Sequence, residues 1–139
     1  MDSVQYLLSI ETRGIKLGLQ RTRELMASCG NPQSGLPSIQ VAGTNGKGSV
    51  CAMLAHILKT AGYKTGLFTS PHLVNVNERI RLNGIPIPNN EIDIFLQKYR
   101  EAIEKIEATF FETITAMAFW YFKNENVDIA ILETGLGGR

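Results

Sequence analysis

The segment from Ser38 to Thr69 constrains the fold more than any other. It opens with SIQVA (38–42), a short apolar run suited to a strand. A glycine-rich turn follows, Gly43-Thr44-Asn45-Gly46-Lys47-Gly48-Ser49, and runs straight into a helical pattern. Val50, Met53, Leu54, Ile57, Leu58 and Ala61 recur at three- and four-residue steps, which makes one apolar stripe expected to face a core. Gly62 is a natural stop, because glycine accepts the left-handed conformation that ends a helix. KTGLFT (64–69) then reads as a second strand. A strand, a helix and a strand in about 30 residues form a βαβ unit, so the two strands are expected to run parallel with a right-handed crossover.

The flanking sequence extends the same pattern. Residues 3–10 (apolar Val4, Leu7, Leu8) and 18–29 (Leu19, Leu25 and Met26 inward) suggest two short helices, and GNPQSGLP (30–37) ends the second. After a loop, RIRLNGIPIP (79–88) alternates around Asn83-Gly84, a strong hairpin signal. Asn89 or Asn90 can cap a helix with Ile92, Phe95, Leu96, Tyr99, Ile103 and Ile106 inward, its charged face being expected in solvent. Residues 110–123 are apolar nearly all round, as in a buried helix. VDIAIL (127–132) is a continuous apolar strand of the kind found in parallel sheets covered on both faces. The alternation predicts an α/β fold with a mostly parallel sheet and flanking helices.

Composition removes several classes of function. The chain has 14 basic and 13 acidic residues, so no overall charge draws it to nucleic acid or an anionic membrane. No run approaches the roughly 18 apolar residues that span a bilayer, and the first residues do not form a secretory signal. Cys29 and Cys51 have neither metal-like spacing nor a disulfide framework, which fits a reducing, cytoplasmic setting.

Any anion must therefore be held by local geometry, and the turn at 43–49 can supply it. Between a strand and a helix, successive backbone N–H groups can converge on one phosphate, and the helix N-terminus adds donors and partial positive charge. Glycine permits positive φ and close approach. Lys47 can reach terminal phosphates, and a following hydroxyl can bind Mg²⁺. The match to the general Walker pattern is imperfect: Val41 stands where the first glycine is usual, and Gly48 separates Lys47 from Ser49.

The variant GTNGKGS resembles the ATP loop of the folylpolyglutamate synthase branch of the Mur ligase family. LGLQRTREL (17–25), TSPHLVNVNERIRLNG (69–84), TFFETITAMAFWYF (109–122) and LETGLGGR (132–139) resemble further segments of that branch in the same order. The resemblance implies a P-loop NTPase-like domain of the Mur ligase central type, occupying 1–139 and incomplete at its C-terminus, with a separate glutamate-ligase domain absent. It implies an ATP- and Mg²⁺-dependent amide ligase, folylpolyglutamate or dihydrofolate synthase, that adds L-glutamate to dihydropteroate or a folate tail through an acyl phosphate. A Mur-type ligase of a cell-wall precursor and a non-catalytic nucleotide-binding module are alternatives; an ordinary P-loop kinase or ATPase is a third, against which the extra Gly48 and the lack of a visible acceptor site speak.

Carried over residue by residue, Gly43, Thr44, Asn45, Gly46, Lys47, Gly48 and Ser49 bind ATP, with Lys47 acting on the transferred phosphoryl group. Ser70 and Glu133, joined by Ser49, are implied as Mg²⁺ ligands; both follow apolar strands, at the edge where open α/β sheets bind ligands. Lys16, Leu17, Thr109, Phe110, Phe111 and Glu112 are implied at the pterin or folate site, although Lys16 stands where an acid is expected. Asn77, Glu78 and Arg79 form a candidate loop patch near folate. His56 is expected to pack or lie exposed on its helix, and His72 sits in the functional loop. With only the strands 38–42, 64–69 and 127–132 as parallel candidates, the isolated chain is not expected to ligate glutamate. The whole enzyme is expected to be a cytoplasmic monomer with small-molecule partners and no nucleic acid or membrane partner.

Overall fold

The computed structural model describes all residues except 1, 15, 17, 44, 45, 71–73 and 134–139. It forms two compact units, Met1–Ser34 with Asn89–Tyr121, and Gly35–Pro88 with Phe122–Arg139.

The first unit is helical. Helix α1 (Ser3–Glu11) starts at a capping box in which the Asp2 side chain accepts from the Gln5 N–H and the Gln5 side chain accepts from the Asp2 N–H. Tyr6, Leu7 and Ile10 are buried, whereas Val4 and Leu8 face outward. Helix α2 (Gln20–Ser28) buries Leu25 and Met26, and Cys29 is its buried C-cap. Leu19, expected inward, is the exposed N-cap, because the helix starts one residue after it. Helix α4 (Asn89–Ile106) packs on α1 and α2 and buries Ile92, Phe95, Leu96 and Ile103. Its polar face is not merely solvated. Glu104 accepts from the Tyr6 hydroxyl at 2.5 Å and from Arg13 Nη2 at 2.6 Å, and the Arg100 guanidinium lies 4.2 Å from the Tyr6 ring centroid. Burial, reinforced by Glu104, pushes the Tyr6 phenol up to about 12. The bond from Tyr6, aided by Arg13, holds the Glu104 carboxyl below its ordinary range. Helix α5 (Phe110–Asn124) is buried along almost its whole length, Phe111 being its exposed aromatic ring.

The second unit is a five-stranded sheet in the order β1-β5-β2-β3-β4. Strands β1 (Ser38–Val41), β5 (Ile129–Glu133) and β2 (Thr65–Phe68) are parallel; β3 (Ile80–Leu82) and β4 (Ile85–Pro86) extend it antiparallel. The hairpin turn is Asn83-Gly84, both at positive φ (50° and 84°), as a two-residue turn that follows strand twist requires. The βαβ strands run parallel as expected but are not neighbours: β5 lies between them and pairs with both.

Helix α3 (Lys47–Thr60) packs on β1, β5 and β2. Its orientation corrects the expectation from periodicity. Cys51 is fully buried, and Leu54 and Leu58 are half-buried. Val50, Met53 and Ile57, expected in the core, are 46%, 63% and 58% exposed. Successive residues turn by about 100°, so Cys51 points to the flank of the stripe, and that flank meets the sheet. Spacing identifies residues that share a face; it does not say which part of a broad apolar face is covered, and among the described residues none covers this part. No described helix is long and apolar enough to cross a membrane.

Candidate functional site

Three parallel strands bring their carboxyl ends to one edge of the sheet. Val41 is in register with Glu133, and Phe68 with Leu132, so the segments following β1 and β2 emerge beside the last residue of β5. This is where ligands of open α/β sheets bind. Gly43 (φ 138°) and Gly46 (φ 74°) lie in the left-handed region, and nothing stands within 4 Å of a Cβ built on either. Glycine is needed there for backbone shape rather than for space. Gly46 is the N-cap of α3, and its carbonyl accepts the first helical bond from Val50 N–H at 3.0 Å. Lys47, Gly48 and Ser49 form the first turn, whose N–H groups have no intrahelical acceptors and carry the positive end of the helix dipole. Thr44, Asn45 and His72 lie outside the described residues.

Glu133 and Ser70, 63 residues apart in sequence, meet at this edge: the Ser70 N–H donates to Glu133 Oε1 at 3.0 Å. Glu133 is 7% exposed, and a Cβ built on Gly48 would stand 3.6 Å from its Oε2. A buried carboxylate thus faces the first turn of α3, where its charge is favoured by the helix N-terminus. The Cys51 thiol beneath is pushed up by burial and by the Glu133 charge, against the opposing charge of Lys47. Among the described residues no group of three or more His, Cys, Asp and Glu is placed to hold a metal. One carboxylate beside the segments that carry Ser49 and Ser70 nevertheless suits Mg²⁺, which takes one or two carboxylates and completes its shell with water and phosphate oxygens.

The first unit holds the other group of expected residues. Thr109 caps α5 in a second capping box: its N–H donates to Glu112 Oε1 at 2.9 Å, and Glu112 N–H donates to Thr109 Oγ1 at 3.2 Å. Arg21 Nε donates to the same Oε1 at 3.2 Å. Phe110 is 8% exposed and belongs to the core, whereas Phe111 is 42% exposed and presents a ring. Lys16 Nζ donates to the Glu107 carbonyl at 3.0 Å, and Arg13 Nη1 to the Ala108 carbonyl at 2.8 Å. Both tether the turn that leads into α5. Leu17 lies outside the described residues.

Sequence reading did not find Arg21, but the Thr-x-x-Glu spacing at 109–112 was a legible signal for the box. The patch at 77–79 lies in a one-turn 3₁₀ segment (Val76–Arg79). Glu78 accepts from the N–H groups of Val74 and Asn75, both at 3.1 Å, and Asn77 Nδ2 donates to the Ile87 carbonyl at 2.6 Å. His56 is exposed on α3.

A parallel core of sheet whose first strand leads to a glycine-capped helix N-terminus, with an acid ending the adjacent strand, is a P-loop-type α/β arrangement. No sequence profile of a known family matches the chain. Individual proteins do. It is 44% identical over 133 residues to the dihydrofolate synthase/folylpolyglutamate synthase of Bacillus subtilis, covering 91% of this chain and 31% of that protein. The crystal structure of folylpolyglutamate synthase from Thermotoga maritima superimposes with a TM-score of 0.88 at 40% identity, over 97% of this chain and 33% of that one. Escherichia coli FolC in complex with DHPP and ADP superimposes with a TM-score of 0.88 at 38% identity, over 99% of this chain and 34% of that one. Over nearly its whole length the chain is similar to folylpolyglutamate and dihydrofolate synthases, and it spans about a third of the length of these relatives.

Proposed function

We propose that this chain supplies the nucleotide-phosphate site and part of the pteroate site of an ATP-dependent amide ligase that joins L-glutamate to dihydropteroate or to the glutamate tail of a folate. The observation that carries the reading is the Ser70 N–H bond to Glu133 Oε1 beside Gly48. It brings the segment after β2, the acid ending β5 and the first turn of α3 to one edge, which supports reading that edge as the phosphate and metal site.

In this reading the N–H groups of the 43–49 turn surround the phosphates of ATP, and Lys47 holds the γ-phosphoryl group in line. A carboxylate oxygen of the acceptor attacks the γ-phosphorus. The bond to the bridging oxygen breaks, ADP leaves, and an acyl phosphate remains. The glutamate amine then attacks the acyl carbon, phosphate departs with the C–O electron pair, and the amine loses its proton. Ser49, Ser70 and Glu133 would hold Mg²⁺, which supplies charge neutralisation on the phosphate oxygens when bound. Phe111 offers a face to the flat pterin and Glu112 an acceptor to its N–H groups, with Thr109 fixing the turn that carries both. Phe110 supports them from the core, and Lys16 from the preceding turn. The whole enzyme is assigned to the cytoplasm as a monomer, with small molecules as its partners.

Calorimetric titration with ATP, with and without Mg²⁺, tests the phosphate site. The native chain is expected to bind more tightly with Mg²⁺. Glu133→Gln should lose that enhancement but keep metal-free binding, and Lys47→Met should weaken both. A native protein that is folded by circular dichroism but takes up no nucleotide at millimolar concentration would refute the assignment.

A further inference from the structure

The turn that enters α5 is held by Arg13, Lys16 and Arg21, but not in one way. Arg13 and Lys16 bind main-chain carbonyls, of Ala108 and Glu107, and so fix the backbone at a turn where Glu107 has a positive φ of 58°. Arg21 binds a side chain instead. A capping box already satisfies its glutamate through the N-cap N–H, and Glu112 has that bond at 2.9 Å. The guanidinium adds a second donor to the same oxygen, from a side chain 23% exposed to a carboxylate 6% exposed.

A carboxylate oxygen offers two lone-pair directions, and an arginine that only neutralises an acid commonly grips both oxygens with its fork. Here the loading is uneven. Oε1 takes Thr109 N–H and Arg21 Nε–H, and among the described residues Oε2 accepts nothing. We propose that Arg21 is a positioning residue for the pteroate ligand: it locks Glu112 through Oε1 and leaves Oε2, with both lone pairs, to the adjacent N–H donors on the amino-pyrimidinone edge of the heterocycle. The inference rests on the reading of Glu112 as a ligand acceptor and adds what aims it.

The experiment compares two ligands on each protein: dihydropteroate, and its analogue lacking the 2-amino group. Native protein is expected to prefer dihydropteroate by roughly tenfold or more, the weight of a hydrogen bond to a charged group. Arg21→Met should bring that ratio close to one, and Arg21→Lys should recover part of it. The Kd for Mg-ATP should stay within about twofold of native, because the phosphate site uses other residues. A ratio is read because loss of folded protein lowers both affinities alike and leaves it unchanged. If native protein does not discriminate, Glu112 is no ligand acceptor and both readings fall. If native protein discriminates and Arg21→Met discriminates equally, Arg21 is only a structural tether and this inference alone is overturned. Should Arg21→Met not fold, Arg21→Lys decides: a ratio as large as native would refute positioning by the guanidinium, and a reduced one would support it.

Discussion

Gly66, in the middle of β2, gives a sharp test of the packing in the sheet unit. A Cβ built there would lie 2.8 Å from Cε1 and 2.9 Å from both Cδ1 and Cζ of Phe122. Non-bonded carbons settle at about 3.5–4.0 Å, so the ring has to retreat. It is fully buried, and its own carbonyl accepts from Val127 N–H at 3.0 Å, so its backbone has little room to yield. Overfilling a packed core costs about 1–3 kcal/mol. Alanine in place of glycine within a strand returns about 0.5–1 kcal/mol by restricting the unfolded chain. The net expectation for Gly66→Ala is a loss of about 0–2.5 kcal/mol, centred on about 1 kcal/mol, read as a lower urea midpoint at unchanged slope. The same substitution in a Phe122→Leu background should cost less, with a coupling of about 0.5–3 kcal/mol between the two sites. A stabilising Gly66→Ala, or strict additivity in the double mutant, would show that the ring does not occupy this space.

Thr109→Ala should cost about 1 kcal/mol through loss of the α5 cap, and Thr109→Ser very little, both by urea unfolding. Stability should fall on the alkaline side. Burial raises the Cys29 thiol and the Tyr6 phenol to about 12 from 9.0 and 10.0, so each contribution is complete below the lower value and is lost on the way to about 12; Tyr6→Phe should flatten the part of the decline above pH 10. Met53→Lys and Ile57→Lys should change stability by less than about 0.5 kcal/mol, whereas Cys51→Leu, on the covered flank of the same helix, should cost about 1–3 kcal/mol. Glu133→Gln should leave the ligand-free protein as stable as native or more stable by about 0.5–2 kcal/mol; a lower urea midpoint would mean that the protein itself stabilises the charge.

Much of the fold was legible because the signals were redundant. The hairpin at Asn83-Gly84, the helix over 89–106 and the buried strand ending at Glu133 each had a period, a boundary residue and a length that agreed. The errors came where pattern fixes a face without naming its neighbour. The residues Val50, Met53 and Ile57 lie on one side of α3, as spacing predicts, but a helix over a sheet is covered along a line of contact, and Cys51 marks that line. The insertion of β5 between β1 and β2 was equally hidden, since strand order depends on pairings distant in sequence. Glu104 looked like one charge in a solvated run; its bonds to Tyr6 and Arg13 depend on which side of α4 meets α1, and no local pattern records that.

The two buried acids show what chemistry adds to pattern. Glu112 and Glu133 are 6% and 7% exposed, and each lies at a helix N-terminus. Burying a charge is costly unless partners replace the lost water, and the protein treats the two differently. Glu112 has an N-cap amide and a guanidinium. Among the described residues, Glu133 has the amide of Ser70, together with the field of the α3 N-terminus. The Lys47 charge, in the same turn, opposes that of Glu133 at the Cys51 thiol. Glu133 therefore presents buried charge at the carboxyl edge of the sheet for a ligand to engage, which is why stability and metal-dependent nucleotide binding are expected to respond to Glu133→Gln in opposite directions.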